Sequence, residues 1–336
     1  MDTIYAKELV IKAGLELVNS GLISRTWGNV SCRLDDHYFV VTPSGMDYKK
    51  LTHEEIVQVK IDDESYSGKI KPSSEKSMHA SVYRLFPNIN FVIHTHQMYA
   101  SILSAVGLDS IDLDTEYKKL GKKIICAKYA LSGTKAISNY AIEALQQSKG
   151  NAILLRNHGA LCVGEDYVDA FRTVYQLEEA CENFLLDKKT ESSEEEFEIK
   201  IIDDSEILQS LYPYDGCFLF NKSPEVIRFS QTEKELRPFL DDFAQIVGSK
   251  AVTVDKDINQ IVKALKSSPA VFIKNIGALC WGKDKDEALA VNMITEKNCK
   301  SFFAAKLFGK PKPINPIECR YMRVNYVKRY SKLAET

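Results

Sequence analysis

Residues 152–170, "AILLRNHGALCVGEDYVDA", and residues 270–288, "AVFIKNIGALCWGKDKDEA", align without a gap and agree at nine of nineteen positions. Each stretch reads as a strand, a turn at Asn-x-Gly and a second strand. The match runs on into the helices that follow, where Glu178 and Glu296, Cys181 and Cys299, and Phe184 and Phe302 keep the same 118-residue offset. A period this long, met only twice, means duplication of a domain and not a solenoid. Within the matched hairpin His158 is answered by Ile276, while Asn275, Gly277, Ala278, Leu279 and Cys280 are all retained. The hairpin therefore folds without an imidazole, and the first copy keeps one for another reason.

The chain has 336 residues, long for one core, which agrees with two domains. Residues 1–188 read as the first domain, 189–205 as a charged linker and 206–336 as an abbreviated second copy. The linker assignment rests on "DKKTESSEEEFEIK" (187–200), where charge and serine replace the apolar periodicity. A net charge of −2 offers no basic surplus for a phosphate backbone, so nucleic acid is not an expected partner. No stretch approaches the roughly 20 apolar residues of a membrane span, and the N-terminus lacks the apolar block of a signal peptide. Eight cysteines stand singly with no CxxC, which reads as buried reduced thiols in a cytoplasmic protein.

Along the chain, the opening residues suit an amphipathic helix ending near Gly21, and "HYFVVTPSG" (37–45) a strand entering a turn. "PSSEKSMHASVYRLF" (72–86) begins with helix-start residues, Glu75 in the first turn, and continues with helical spacing. "NINFVIHTH" (88–96) reads as a buried strand, and 166–186 as a long helix. In the second copy, 215–230 reads as turn-bounded and β-rich. Next come a helix near 233–246, a strand around Ala270, the repeated hairpin and a final helix at 286–309.

His94 and His96 are two residues apart on a strand, so their imidazoles lie on one face, a geometry that zinc accepts. A lone His-x-His fits equally well as a surface residue beside a hydrogen-bonded core histidine. His158, which its twin hairpin does without, tips the balance toward a third metal ligand. Glu75 is the candidate carboxylate. By itself "PSSE" (72–75) is also a plain helix cap, and "WGNVS" (27–31) and "TPSG" (42–45) are plain turns.

Taken in order, "GNVS" (28–31), "TPSG" (42–45), "PSSE" (72–75), "HTH" (94–96) and "NHG" (157–159) resemble the class II aldolase/adducin family over residues 1–186. The resemblance implies an α/β fold, a three-layer α/β/α domain around a mostly antiparallel sheet. It makes His94, His96 and His158 ligands of one zinc ion, with manganese or cobalt as substitutes. Glu75 becomes the displaceable fourth ligand and the acid/base. Gly28, Asn29, Ser44, Gly45, Ser73 and Ser74 become the phosphate-binding residues of a small sugar-phosphate substrate. The implied reaction is cleavage of a phosphorylated ketose of the fuculose-1-phosphate type into dihydroxyacetone phosphate and an aldehyde.

Tyr117 falls near the place of a family tyrosine that assists from a neighbouring subunit, though it also fits as an ordinary loop tyrosine. A tail tyrosine is matched equally by Tyr321, Tyr326 and Tyr330. Sites between subunits imply a homo-oligomer, with the second copy standing in a neighbour's place. Other members of the family are pentulose-phosphate 4-epimerases, which carry Asp where Glu75 stands, and dehydratases or decarboxylases on the same scaffold. Adducin-like modules are non-catalytic and lack the ligand set.

Overall fold

The computed structural model describes residues 1–23, 27–191, 205–211, 215–309 and 311–329. These residues fall into two compact units that divide between Lys188 and Lys189. The first opens with helix α1 (Thr3–Asn19), capped by Asp2 and buried along Ala6, Val10, Ala13 and Leu17, the three-and-four spacing of an amphipathic helix. Strands β1 (Gly28–Arg33), β2 (Tyr38–Val41) and β3 (Val57–Lys60) follow as a meander. Next in the chain are α2 (Lys76–Leu85), β4 (Phe91–Thr95), α3 (Met98–Ser104), β5 (Ser110–Tyr117) and β6 (Gly121–Ala127). Helix α4 (Lys135–Gln147), the hairpin β7 (Ala152–Leu155) and β8 (Gly159–Gly164), and α5 (Tyr167–Glu191) complete the unit.

The eight strands form one sheet in the order β3-β2-β1-β4-β8-β7-β6-β5, antiparallel at every junction but β6–β7. On one face Met78, Ala80 and Val82 of α2 and Ala141 and Leu145 of α4 meet Phe39, Val41, Val92, Ile153 and Leu161 of the sheet. On the other, α1 packs on β1 and β2, and α3 on β7 and β8. Helix α5 joins that layer: Tyr167 and Tyr175 donate to Glu16 of α1, and Glu178 accepts from the first amides of α3, Tyr99 N and Ala100 N, at 2.8 and 3.2 Å. The fold is the expected α/β/α sandwich on a mostly antiparallel sheet.

The second unit contains α6 (Ser205–Leu211), β9 (Cys217–Asn221), α7 (Pro224–Thr232), β10 (Glu235–Leu236), α8 (Asp241–Ile246) and β11 (Ala251–Val254). It continues with α9 (Ile258–Leu265), the hairpin β12 (Ala270–Ile273) and β13 (Gly277–Gly282), α10 (Lys285–Leu307) and α11 (Pro316–Arg329). Its sheet runs β10-β11-β12-β13-β9, with β11–β12 parallel and the rest antiparallel. That is the order and sense of β5-β6-β7-β8-β4 in the first unit. The register agrees as well: β13 sets Ala278 opposite Asn221 and Leu279 opposite Phe220, as β8 sets Ala160 opposite Thr95 and Leu161 opposite His94.

Several local expectations are corrected. "GNVS" is not a turn but the start of β1, because the strand is clamped between β2 and β4 despite its Gly and Asn. Helix α2 starts at Lys76, leaving Glu75 at the cap position and not in the first turn. The expected helix at 233–246 survives only as α8, since Pro238 and the β10 pairing occupy its front half. Residues 215–230 are half helical, with Pro224 opening α7. Helix α5 extends through Glu191 into the expected linker, and residues 192–204 lie outside the described ones. Among the described residues no helix is long and apolar enough to cross a membrane.

Candidate functional site

Strand β4 brings His94 to the sheet face that carries α2, and His96 follows two residues later just past the strand end. His158 sits in the β7–β8 turn, where Asn157 takes a left-handed φ of 60° and His158 N donates to Leu155 O at 3.0 Å. The turn can lie beside β4 because residue 159 is glycine: a Cβ there would come within 2.2 Å of Thr95 O. His94, His96 and His158 thus converge, with one ring nitrogen of each within 4.8 Å of the others. His94 and His158 stack at 4.7 Å between centroids, and His96 stands edge-on to both.

Glu75 enters from the start of α2. As the cap residue it makes no side-chain cap hydrogen bond. Its carboxylate faces the histidines, with Oε1 3.0 Å from His158 Nε2 and Oε2 3.3 Å from His94 Nε2. Oε2 also accepts from Asn29 Nδ2 at 2.8 Å. Burial by itself would raise this carboxyl, but the imidazoles of His94, His158 and His96 hold it well below the usual carboxylate range. Burial pushes His94 down to about 3, with His158 and His96 adding to the effect against the pull of Glu75.

The donor set fits a divalent cation. His94 Nδ1 lies 2.8 Å from Ala160 O, so Nδ1 carries the proton and Nε2 presents a lone pair. That lone pair faces His96 Nε2 at 3.0 Å and a carboxylate oxygen at 3.3 Å. A neutral His94 Nε2 gives Glu75 nothing to accept, and a cation between the two resolves the conflict. Bonds of roughly 2.0–2.1 Å in a tetrahedron separate neighbouring ligand atoms by about 3.3 Å, close to the spacings found. Three neutral nitrogens and one carboxylate suit zinc, manganese or cobalt alike.

The turns expected to hold phosphate lie side by side. Ser44 N donates to Lys71 O at 2.9 Å, Ser73 N to Thr42 O at 3.0 Å, and Pro43 bridges Pro72. Ser44 and Gly45 are partly exposed, Ser74 is exposed, and Ser73 Oγ accepts from Glu75 N. Gly28 has a φ of 113° and no room for a Cβ, which would meet His94 O at 2.7 Å. Asn29 lies opposite His94 on β1, its amide turned to Glu75 and His79 and not to the turns.

Tyr117 ends β5, four strand spacings from β4, roughly 19 Å across the sheet, and its hydroxyl accepts from Asn183. The structure therefore does not bring Tyr117 to the histidines of its own chain. Tyr321 and Tyr326 lie on α11 of the second unit, and Tyr330 lies outside the described residues. Reading the sequence misses Ser31, His79 and Tyr83, which line up behind Asn29. A signal for them exists: polar residues two apart on β1 (Asn29, Ser31, Arg33) and four apart from the α2 cap onward (Glu75, His79, Tyr83). The cysteines are all free, and burial raises the Cys32 and Cys126 thiols to about 12 and 11, so neither is a poised thiolate.

Comparison with known proteins agrees with the fold. Residues 8–185 and 210–303 match the family described as "Class II Aldolase and Adducin N-terminal domain". The chain belongs to that family. It is 31% identical over 173 residues to a 5-deoxy-D-ribulose 1-phosphate aldolase of Bacillus thuringiensis serovar kurstaki, covering 51% of this chain and 80% of that one. Over 192 residues it is 29% identical to a 3-oxo-tetronate 4-phosphate decarboxylase of Haemophilus influenzae, covering 55% and 89%. A solved L-fuculose 1-phosphate aldolase superposes with a TM-score of 0.52 at 28% identity, over 64% of this chain and 98% of that one.

Proposed function

We propose that the first unit is a metal-dependent lyase that cleaves a phosphorylated ketose of the fuculose-1-phosphate type into dihydroxyacetone phosphate and an aldehyde. The observation that carries this reading is the Glu75 carboxylate set among three imidazoles whose nitrogens converge. His94, His96 and His158 hold one zinc ion, with Glu75 as its displaceable fourth ligand. When bound, the ion supplies positive charge beside the oxygens where negative charge develops as the carbon–carbon bond breaks. Glu75, held ionised, then takes or returns the proton on carbon. The paired turns at Ser44, Gly45, Ser73 and Ser74, with Gly28, orient the phosphate, while Asn29 steadies Glu75. Tyr117 assists from a neighbouring copy in a homo-oligomer.

Residues 206–336 form a degenerate second copy, and singly spaced thiols suit a cytoplasmic protein. The supporting facts are the shared strand order and the family match in both segments. A second reading, decarboxylation of an oxo-acid phosphate, draws on the decarboxylase relative.

Metal analysis followed by a substrate screen tests the proposal. Chain purified with zinc should carry about one ion, and His94→Ala none. Ketose phosphates should then release dihydroxyacetone phosphate. Release of carbon dioxide from an oxo-acid phosphate would establish the decarboxylase instead, and a metal-free wild type would leave a binding module.

A further inference from the structure

Behind the carboxylate lies a row of buried polar groups, of which the proposed chemistry uses only Asn29. Asn29, Ser31 and Arg33 project from alternate positions of β1, opposite Glu75 at the cap of α2 and His79 and Tyr83 within it, each four residues apart. Alternate strand residues advance about 6.7 Å and fourth helix residues about 6 Å, so the two rows stay nearly in step. The contacts follow that match. Asn29 reaches Glu75 and His79; Ser31 reaches His79 Nδ1 at 2.6 Å and Tyr83 OH at 2.7 Å. Arg33 closes the row over the Tyr83 ring and donates to Tyr83 O and Phe86 O. Ser31 and His79 have no exposed surface.

The direction of every hydrogen bond between Glu75 and Tyr83 is determined. Asn29 Nδ2 lies 2.8 Å from Glu75 Oε2, so the amide N–H is the end turned to the carboxylate. The Asn29 oxygen then faces His79 and only accepts, so His79 Nε2 carries a proton. With His79 neutral, Nδ1 accepts from the Ser31 hydroxyl, and Ser31 Oγ in turn accepts from Tyr83 O–H. Any reversal sets acceptor against acceptor or donor against donor around Ser31, His79 and Tyr83, all buried, the costly outcome for such groups.

We propose that His79 is a positioning residue for Glu75: locked as its Nε2–H tautomer by Ser31 and Tyr83, it holds Asn29 so that only the amide N–H meets the carboxylate. Asn29 engages Oε2, which leaves Oε1 to face His158. The ladder thereby sets which carboxylate oxygen faces which imidazole. This inference rests on the reading of Glu75 as ligand and acid/base.

The tautomer is tested on metal-free full-length chain by nitrogen-15 NMR, with His79 assigned by its loss in His79→Gln. A protonated Nε2 and bare Nδ1 is the expected result; a protonated Nδ1 overturns the proposal whatever the enzyme does. Zinc affinity by competition with a chelating dye gives a second readout. His79→Leu, which cannot hold Asn29, should bind zinc roughly 10–100-fold more weakly. His79→Gln, which keeps a donor toward Asn29, should stay within about threefold of wild type. Equal affinity in the leucine variant overturns the proposal. Should His79→Leu melt early, Ser31→Ala removes the lock with a smaller change, and zinc affinity at the wild-type level there overturns it equally. A chain with the expected tautomer and zinc pattern that turns over no sugar phosphate refutes the functional reading alone. A protonated Nδ1 in an active enzyme refutes the ladder alone.

Discussion

Glu75 stands where a helix asks for a capping side chain, yet its carboxylate turns away from the α2 amides toward three imidazoles. Glutamine has the same shape without the charge. Glu75→Gln should therefore fold, bind zinc more weakly and lose about 10²–10⁴ in kcat, the range for a positioned acid/base. Comparing kcat in zinc-saturated wild type and variant checks this, and undiminished turnover rules Glu75 out as the proton carrier. His79 yields a prediction about acid stability. Burial pushes it from 6.5 to about 4, so the unfolded chain takes up a proton over a range where the folded chain stays neutral. Its stabilising effect is whole above pH 6.5 and declines as pH falls toward 4. The loss is about 1.4 kcal/mol per pH unit, about 2 kcal/mol by pH 5. Urea midpoints at pH 7 and pH 5 should fall further apart in wild type than in His79→Gln, and equal falls would mean the buried ring is charged.

The β7–β8 and β12–β13 hairpins explain why one pattern was kept twice. Asn157 and Asn275 both take left-handed φ, at 60° and 64°, which asparagine tolerates better than most residues. Gly159 and Gly277 lie against the neighbouring strand, where an added Cβ would come within 2.2 Å of Thr95 O and 2.3 Å of Asn221 O. Gly159→Ala must push β4 away just where His94 and His96 flank Thr95. It should lower the melting temperature and abolish tight zinc binding. Gly277→Ala should lower stability by a comparable amount, about 1–3 kcal/mol, and leave zinc affinity intact. Unchanged zinc binding in Gly159→Ala would separate the hairpin from the site. The same elements show what a sequence discloses. Apolar runs bounded by turns are legible, so β4, the two hairpins and the long α5 and α10 stand out. Strand β1 hides because its α2-facing side is polar, matched to a helix that sequence order does not reveal as its neighbour. Cap positions also mislead: "PSSE" reads as a helix start with its glutamate inside, and only the packing of α2 against β1 and β4 shows where that side chain goes.

Across the chain the duplication is a mutagenesis experiment already performed. His158 and Ile276 are equally buried, at 3% exposure, in turns closed by the same hydrogen bond. The isoleucine joins an apolar cluster with Ile207, Leu211, Ile261 and Leu279, whereas the histidine faces Glu75. By register Phe220 and Lys222 fall where His94 and His96 stand in the first unit. Among the described residues, the second unit's five-stranded sheet also contains no counterpart of the β1–β3 meander or of the α2 start that delivers Glu75. Among the described residues the second unit thus lacks the whole candidate ligand set, and one substitution there cannot rebuild it. His158→Ile should fold with the wild-type circular dichroism spectrum and melt at a temperature that zinc no longer shifts. In wild type, zinc at 100 times its Kd should add about 2.7 kcal/mol. Ile276→His should bind no second ion, because the other two nitrogens and the carboxylate are missing there, and it should destabilise its unit by leaving an imidazole among aliphatic side chains. Calorimetry of both variants with and without zinc reads these effects together. A zinc-dependent rise in melting temperature in His158→Ile would show that the histidine kept by the first hairpin was kept for something other than a cation.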